Sequence, residues 1–238
     1  MRGSGVAHPA VISVKSFHEL SSRLSAEVGI AIASVGSSPV SLGTWSSGVA
    51  WSTSKVPLVI AALRARVGSH ELVVQTITHS DNAAAEELWS QLGDPESAAR
   101  QVQDVIREAG DAVTVVESRR LREGYTAFGQ TRWSLADQAR FAAGLAQVGE
   151  ASPVVDLMRG LTTDHRWGLA AKGFVAKGGW GPGLADGYLV RQFGIVPTAS
   201  GTVGVALAAE VHDGEYEAGV DVVNRLADWV VDEALSQQ

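Results

Sequence analysis

Strand-forming stretches lie near the two ends of this 238-residue chain, and the span 54–149 between them reads as helix. Val28 to Val35 is an apolar run of Val, Ile and Ala; a Gly36-Ser37-Ser38 turn follows, and Pro39 to Trp45 completes a hairpin. Gly173 to Gly178, Tyr188 to Val196 and Thr202 to Val211 return to strand, divided by glycines and Pro197. Ser16 to Ala26 reads as a helix with Phe17, Leu20 and Leu24 on one face. Glu215 to Leu235 closes the chain as another, with Val220, Val223, Leu226, Trp229, Val230 and Leu235 at apolar positions. One sheet can collect both strand groups if the helical block is looped out between its halves and the terminal helices cover one face. The expected fold is therefore α/β, with a cleft between the sheet and the helical block.

Within the helical block the punctuation is clear. Pro57 has no N–H and a fixed φ, so it belongs in a first turn and places a helix start at Ser52 to Lys55. Gly68 is the expected end of that helix. Asn82 to Leu92 is closed by Gly93, Asp94-Pro95 opens a helix ending near Gly110, and Ser134 caps Leu135 to Val148.

Composition excludes several functions. With 45% hydrophobic and 19% charged residues the chain is of ordinary globular make-up. A net charge of −7 argues against nucleic acid or anionic membrane as a partner, and no run is long and apolar enough to span a bilayer. There are no cysteines, and the six histidines show no metal-ligand spacing, so no cofactor or metal is expected. Met1 to Pro9 carries one positive charge and no apolar signal core. The chain thus reads as cytoplasmic if Met1 is the native start, or as one whose leader has been removed.

Three short segments carry chemistry. Ser52-Thr53-Ser54-Lys55 puts a hydroxyl and an amine three residues apart at a helix start, on one face. A serine needs a base within reach to act as nucleophile, and an amine can be that base only if burial or a neighbouring cation lowers its pKa. Alone, the tetrapeptide describes an exposed serine and a solvated lysine equally well. Ser80-Asp81-Asn82 reads by itself as a helix cap, and Lys177-Gly178-Gly179-Trp180 as a glycine-rich bend in a strand. Only four lysines occur in the chain, and two of them are Lys55 and Lys177.

Taken in this order, the segments resemble the S-x-x-K, S-D-N and K-T-G series of the serine β-lactamases and penicillin-binding proteins. Ile77-Thr78-His79 and the alanine-rich helix after Asn82 add to a likeness with class A enzymes over residues 28–211. The resemblance implies a two-lobe α+β fold, with residues 11–51 plus 173–238 as a sheet lobe of five antiparallel strands flanked by the terminal helices and residues 52–172 as an all-helical lobe, and a secreted or cell-envelope setting. It also implies acyl transfer through Ser52, with Lys55 as base, Ser80 as proton shuttle and Lys177 as electrostatic anchor. Asn82, Gly178, Gly179 and Trp180 would contact substrate, the backbone N–H groups of Ser52 and Trp180 would form an oxyanion hole, and Asp81 would be structural. The substrate would be a β-lactam, a peptidoglycan-type peptide, or a small ester or amide. The alternative is a binding or sensor protein that acylates without turnover, or a scaffold that has lost activity.

Three departures shape that expectation. Gly178 replaces the hydroxyl residue of the third motif, and Arg191 on the next strand is the candidate to supply positive charge to a substrate carboxylate. Only 28 residues separate Ser52 from Ser80, so a wall of the pocket is expected to be missing, with Trp51 and Trp180 as an aromatic floor. No E-x-x-L-N is present: Arg120 falls where the deacylating glutamate belongs, and Glu117 and Glu123 flank it. The expectation is a poor β-lactamase with a long-lived acyl adduct.

Overall fold

A computed structural model describes residues 14–199, 201–212 and 214–234. The leader reading at Met1 to Pro9 and the apolar position at Leu235 lie outside the described residues. The chain runs α1 (Val14–Ser21), β1 (Glu27–Ala33), β2 (Val40–Gly43) and β3 (Ser47–Val49), then a 3₁₀ turn, Trp51–Ser54, that continues into α2 (Lys55–Ala65). Three helices follow: α3 (His70–Thr78), α4 (Asn82–Gln91) and α5 (Pro95–Glu108). After a loop come β4 (Arg132–Ser134), α6 (Leu135–Gly144) and α7 (Ala151–Arg159). The last part holds β5 (Val175–Pro182), β6 (Tyr188–Thr198), β7 (Gly201–Val211) and α8 (Tyr216–Trp229).

The two strand groups do join in one sheet, in the order β2-β1-β7-β6-β5, antiparallel throughout. Because alternate side chains point to opposite faces, each strand serves two cores. Ala31, Phe193, Ala206 and Ala208 face the helices of residues 55–159, whereas Ile30, Val190, Val205 and Leu207 pack with Phe17, Leu226 and Trp229 of the terminal helices. The first face is lined with small residues because α6 lies directly on it. A Cβ at Gly204 would come within 2.1 Å of the Ala139 carbonyl oxygen. Helix α2 is apolar all round, with Val56 to Ala62 all buried, and so runs through the middle of the helical lobe.

α1 stops at Ser21 rather than Ala26 and α6 at Gly144 rather than Val148, and four further features differ from the sequence expectation. β3 and β4 pair as a separate two-stranded sheet, and three residues each is too short to show alternation. α7 was not anticipated. Helix α2 ends at Arg66, which takes the left-handed conformation (φ 55°) two residues before Gly68. Beyond Trp229 the final turn widens to a π-helix over Val230–Ala234.

Candidate active site

Ser52 enters through an unusual backbone. Trp51 has φ 50°, a conformation that costs a non-glycine residue about 1–2 kcal/mol, and the 3₁₀ turn follows at once. Contacts on both sides hold it there. Ala50 N donates to the Thr131 carbonyl (2.8 Å), and Thr53 Oγ1 donates to the Ala50 carbonyl (2.5 Å). In a 3₁₀ turn residues three apart eclipse one another, so Ser52 and Lys55 share a face. Strand β5 comes so close that a Cβ on Gly179 would lie 2.7 Å from the Ser52 nitrogen. Only glycine allows that approach, and it aligns β5 beside the Ser52 N–H.

Two lysines converge on Ser80. Its φ of 54° turns both its carbonyl and its hydroxyl inward. Lys55 Nζ donates to the Ser80 carbonyl, to Asn82 Oδ1 (2.7 Å) and, loosely, to Ser80 Oγ (3.4 Å). Lys177 Nζ donates to Ser80 Oγ (2.8 Å) and to the Gly178 carbonyl (3.0 Å). Both lysines are 1% exposed. Burial brings the Lys55 amine down to about 7, against a smaller opposing pull from Asp81. Burial, and then the charge of Lys55, lower Lys177 as well. Two ammonium groups sharing one hydroxyl repel, so the pair favours a state with one neutral amine, which is what a general base requires.

These groups meet at a cavity of about 440 Å³ lined by Ser52, Lys55, Ser80 and Asn82, with Trp51, Tyr125 and Trp180 as aromatic wall. His79 and His165 also line it. His165 lies against Trp180 (ring centroids 5.3 Å apart). Its burial and the charge of Lys177 lower its pKa. Among the described residues no three His, Asp or Glu side chains group as a metal site would need, and no helix is long and apolar enough to cross a membrane.

No protein-family model matches this sequence, and no curated protein is similar to it by sequence. Solved structures do match. A β-lactamase from Sphaerobacter thermophilus DSM 20745 superposes with a TM-score of 0.68 at 18% identity, covering 93% of this chain and 96% of that one. A β-lactamase from Chitinophaga pinensis DSM 2588 gives 0.71 at 15% identity, covering 92% and 98%. An ancestral class A β-lactamase gives 0.67 at 18% identity, covering 92% and 98%. The fold is that of the class A β-lactamases.

On this β-lactamase fold the motif residues fall into distinct positions. Ser52, Lys55, Ser80, Asn82 and Trp180 line the cavity, while Lys177 reaches it through the Ser80 hydroxyl. Asp81 caps α4, accepting from Ala84 N at 2.7 Å. Gly178 has a physical reason to lack a side chain, since a Cβ there would sit 2.4 Å from the Trp167 ring. The Ser52 hydroxyl is not among the hydrogen-bond partners of Lys55, whose amine is held by Ser80 and Asn82 instead.

The remaining candidates stand elsewhere. Arg191 is 0% exposed and does not line the cavity. Its guanidinium donates to the carbonyls of Gly48 (3.1 Å), Val49 (3.0 Å) and Trp133 (3.1 Å) and to Gln138 Oε1 (2.9 Å). It points to the same sheet face as Lys177, but β3, β4 and α6 close over it. Glu117 is turned to Arg119, accepting from its N (2.9 Å) and Nε (3.1 Å). Burial alone would raise the Glu117 carboxyl, but the bonds from Arg119 outweigh it and hold the pKa low. Glu123 is exposed, and neither glutamate lines the cavity. Arg120 does, paired with Glu86 of α4 at 2.8 Å.

Sequence reasoning missed Gln138 and Glu86. Gln138 links Arg191 to the Ser52 turn, donating to Thr53 Oγ1 at 2.9 Å. A polar residue among Leu135, Ala139 and Ala142 on the buried face of α6 was the signal for it. Glu86 was signalled by its spacing, one helical turn after Asn82.

Proposed function

We propose that this protein is a serine acyl-transfer hydrolase working through an ester on Ser52. The observation that carries the reading is the pair of buried lysines bonded to one serine hydroxyl beside Ser52 in a single cavity. A neutral amine in the Lys55/Lys177 pair takes the Ser52 proton as the substrate tightens the site, and Ser52 Oγ attacks the acyl carbon. The oxyanion faces the N–H groups of Ser52 and Trp180, a device that contributes several kcal/mol in related chemistry. Ser80, supplied by the lysines, returns a proton to the leaving group. The β-lactamase names of the structural neighbours support a β-lactam, or another strained or activated amide or ester, as the acyl donor. A non-turnover binding protein is the second reading, favoured by the distance of Glu117 and Glu123 from the cavity.

Intact-protein mass spectrometry after exposure to a penicillin and, separately, to a fluorophosphonate tests this. One acyl or phosphonyl group is expected on Ser52 and none on Ser52→Ala. A folded wild-type protein that neither forms an adduct nor consumes the penicillin would reject the acyl-serine reading.

A further inference from the structure

Along β5 the edge of the cavity is aromatic where a site for a charged substrate would need a cation. Trp180 and His165 line it, and behind them stand Tyr216 of α8 and Trp167. The Trp180 ring lies 4.9 Å from Tyr216 and 6.2 Å from Trp167, which are 6.5 Å from each other. These separations are those of interacting aromatic pairs. Trp167 is buried, but Trp180, His165 and Tyr216 each keep part of their surface exposed, so the protein does not close over the patch.

The cations around this edge are engaged elsewhere. Among the described residues the lysines and arginines on the cavity wall are Lys55, held by Ser80 and Asn82, and Arg120, bonded to Glu86. Arg122 is occupied by Gln130 and the Pro182 and Gly183 carbonyls, Arg166 donates to the Leu161 carbonyl, and Arg191 is enclosed. Beside His165 stands instead a carboxylate, Asp164 Oδ2, 3.6 Å from its Nε2. A substrate carboxylate seated here would find repulsion and no partner, which is costly.

We propose that the acyl donor carries an uncharged aromatic leaving group, seated against Trp180 and His165, and no carboxylate there. The inference rests on the acyl-Ser52 reading, which also gives the side. Ser80, the proton donor to the leaving group in that reading, is bonded through Oγ to Lys177 of β5, so the leaving group departs toward the strand that carries Trp180. Tyr216 and Trp167 are positioning residues that hold the Trp180 ring. Trp167 acts twice, since it also takes the space that a side chain at Gly178 would need.

Three thioacetates that transfer the same acetyl group test this: S-benzyl, S-cyclohexylmethyl and S-(4-carboxybenzyl). The chain has no cysteine, so released thiol is read directly with a disulfide reagent, and acetyl on Ser52 by intact mass. Only the first equivalent is timed, and each rate is divided by that ester's rate with hydroxide, which removes differences in leaving-group reactivity. Benzyl is expected to exceed cyclohexylmethyl by about 2–12-fold and 4-carboxybenzyl by at least about tenfold. Trp180→Leu is expected to abolish the preference for benzyl over cyclohexylmethyl, and Trp180→Phe to keep most of it. If Trp180→Leu fails to fold, the two wild-type ratios decide.

A 4-carboxybenzyl rate equal to or above the benzyl rate would overturn the proposal. So would equal benzyl and cyclohexylmethyl rates in the wild type, or a benzyl preference that folded Trp180→Leu retains. If no thioacetate acetylates Ser52 although the penicillin or the fluorophosphonate does, this proposal falls and acyl-Ser52 stands. No adduct from any of the five reagents overturns both.

Discussion

The two walls of the cavity are built on opposite terms. The inner wall, around Ser52, Lys55, Ser80 and Lys177, is fixed by short hydrogen bonds from two buried amines. The outer wall is a loop over residues 112–127: Arg120 is 60% exposed and paired with Glu86, itself 30% exposed, whereas Arg122 is bonded to Gln130 and to the Pro182 and Gly183 carbonyls and lies over the Trp51 ring. Buried charge has its pKa reset, whereas exposed charge is screened and contributes little. An amine whose pKa is reset by burial therefore belongs to the inner wall, and under the proposed function proton transfer would occur there.

The strongest challenge to this contrast is Lys55→Met. With Lys55 as the proposed base, its loss is expected to slow acylation of Ser52 by about 10²–10⁴-fold, read as the rate of adduct formation. The same variant tests burial. The Lys55 amine lies near 7 in the folded protein and near 10.4 when unfolded, so between those values the unfolded chain binds more protons. Stability of the wild type relative to Lys55→Met should then rise with pH from about 7 to about 10 and stay flat below that window. Denaturant unfolding of both proteins across this range decides it. A difference that is constant with pH would mean the amine keeps its ordinary pKa and is no base.

The inner wall was also the legible one. Ser52 to Lys55 and Ser80 to Asn82 are local spacings at helix starts, and helix geometry turns spacing into proximity. The sheet, too, was readable, because strands buried on both faces appear as apolar runs bounded by glycines. What the sequence did not disclose depends on contacts between distant segments. Arg191 was expected at the substrate, yet carbonyls from β3 and β4 enclose it. Gly178 was read as a loss, yet the Trp167 ring fills its place. Neither neighbour is close in the chain, so no local pattern announced it.

Arg191 sharpens the contrast from inside the fold. Arg191→Met would leave four acceptors without their donor, at Gly48, Val49, Trp133 and Gln138. Losing a buried charged donor of this kind is expected to cost about 3–5 kcal/mol, a fall in Tm of about 10 °C for a chain of this size. Thermal unfolding measures it. Arg191→Lys should recover only a fraction, because an ammonium cannot reproduce the planar fork. If Arg191→Met kept its Tm and instead raised KM for carboxylate-bearing substrates, the residue would return to the substrate side of the cavity.

The smallest expected effect concerns Gly178 and the space that the Trp167 ring takes beside it. An added Cβ would meet Trp167 at 2.4 Å, and Trp167 is itself held at 5% exposure between Trp180 and Tyr216. Gly178→Ala is expected to cost about 1–3 kcal/mol as overpacking. Trp167→Leu removes ring atoms from that contact, so in the double variant the alanine should cost less than it does alone. The two changes should couple by at least about 0.5 kcal/mol in a double-mutant cycle, measured by denaturant unfolding. Additive effects would mean that the strand, not the indole, absorbs the extra carbon. The replacement of the motif's hydroxyl residue by Gly178 would then need another explanation than the space taken by Trp167.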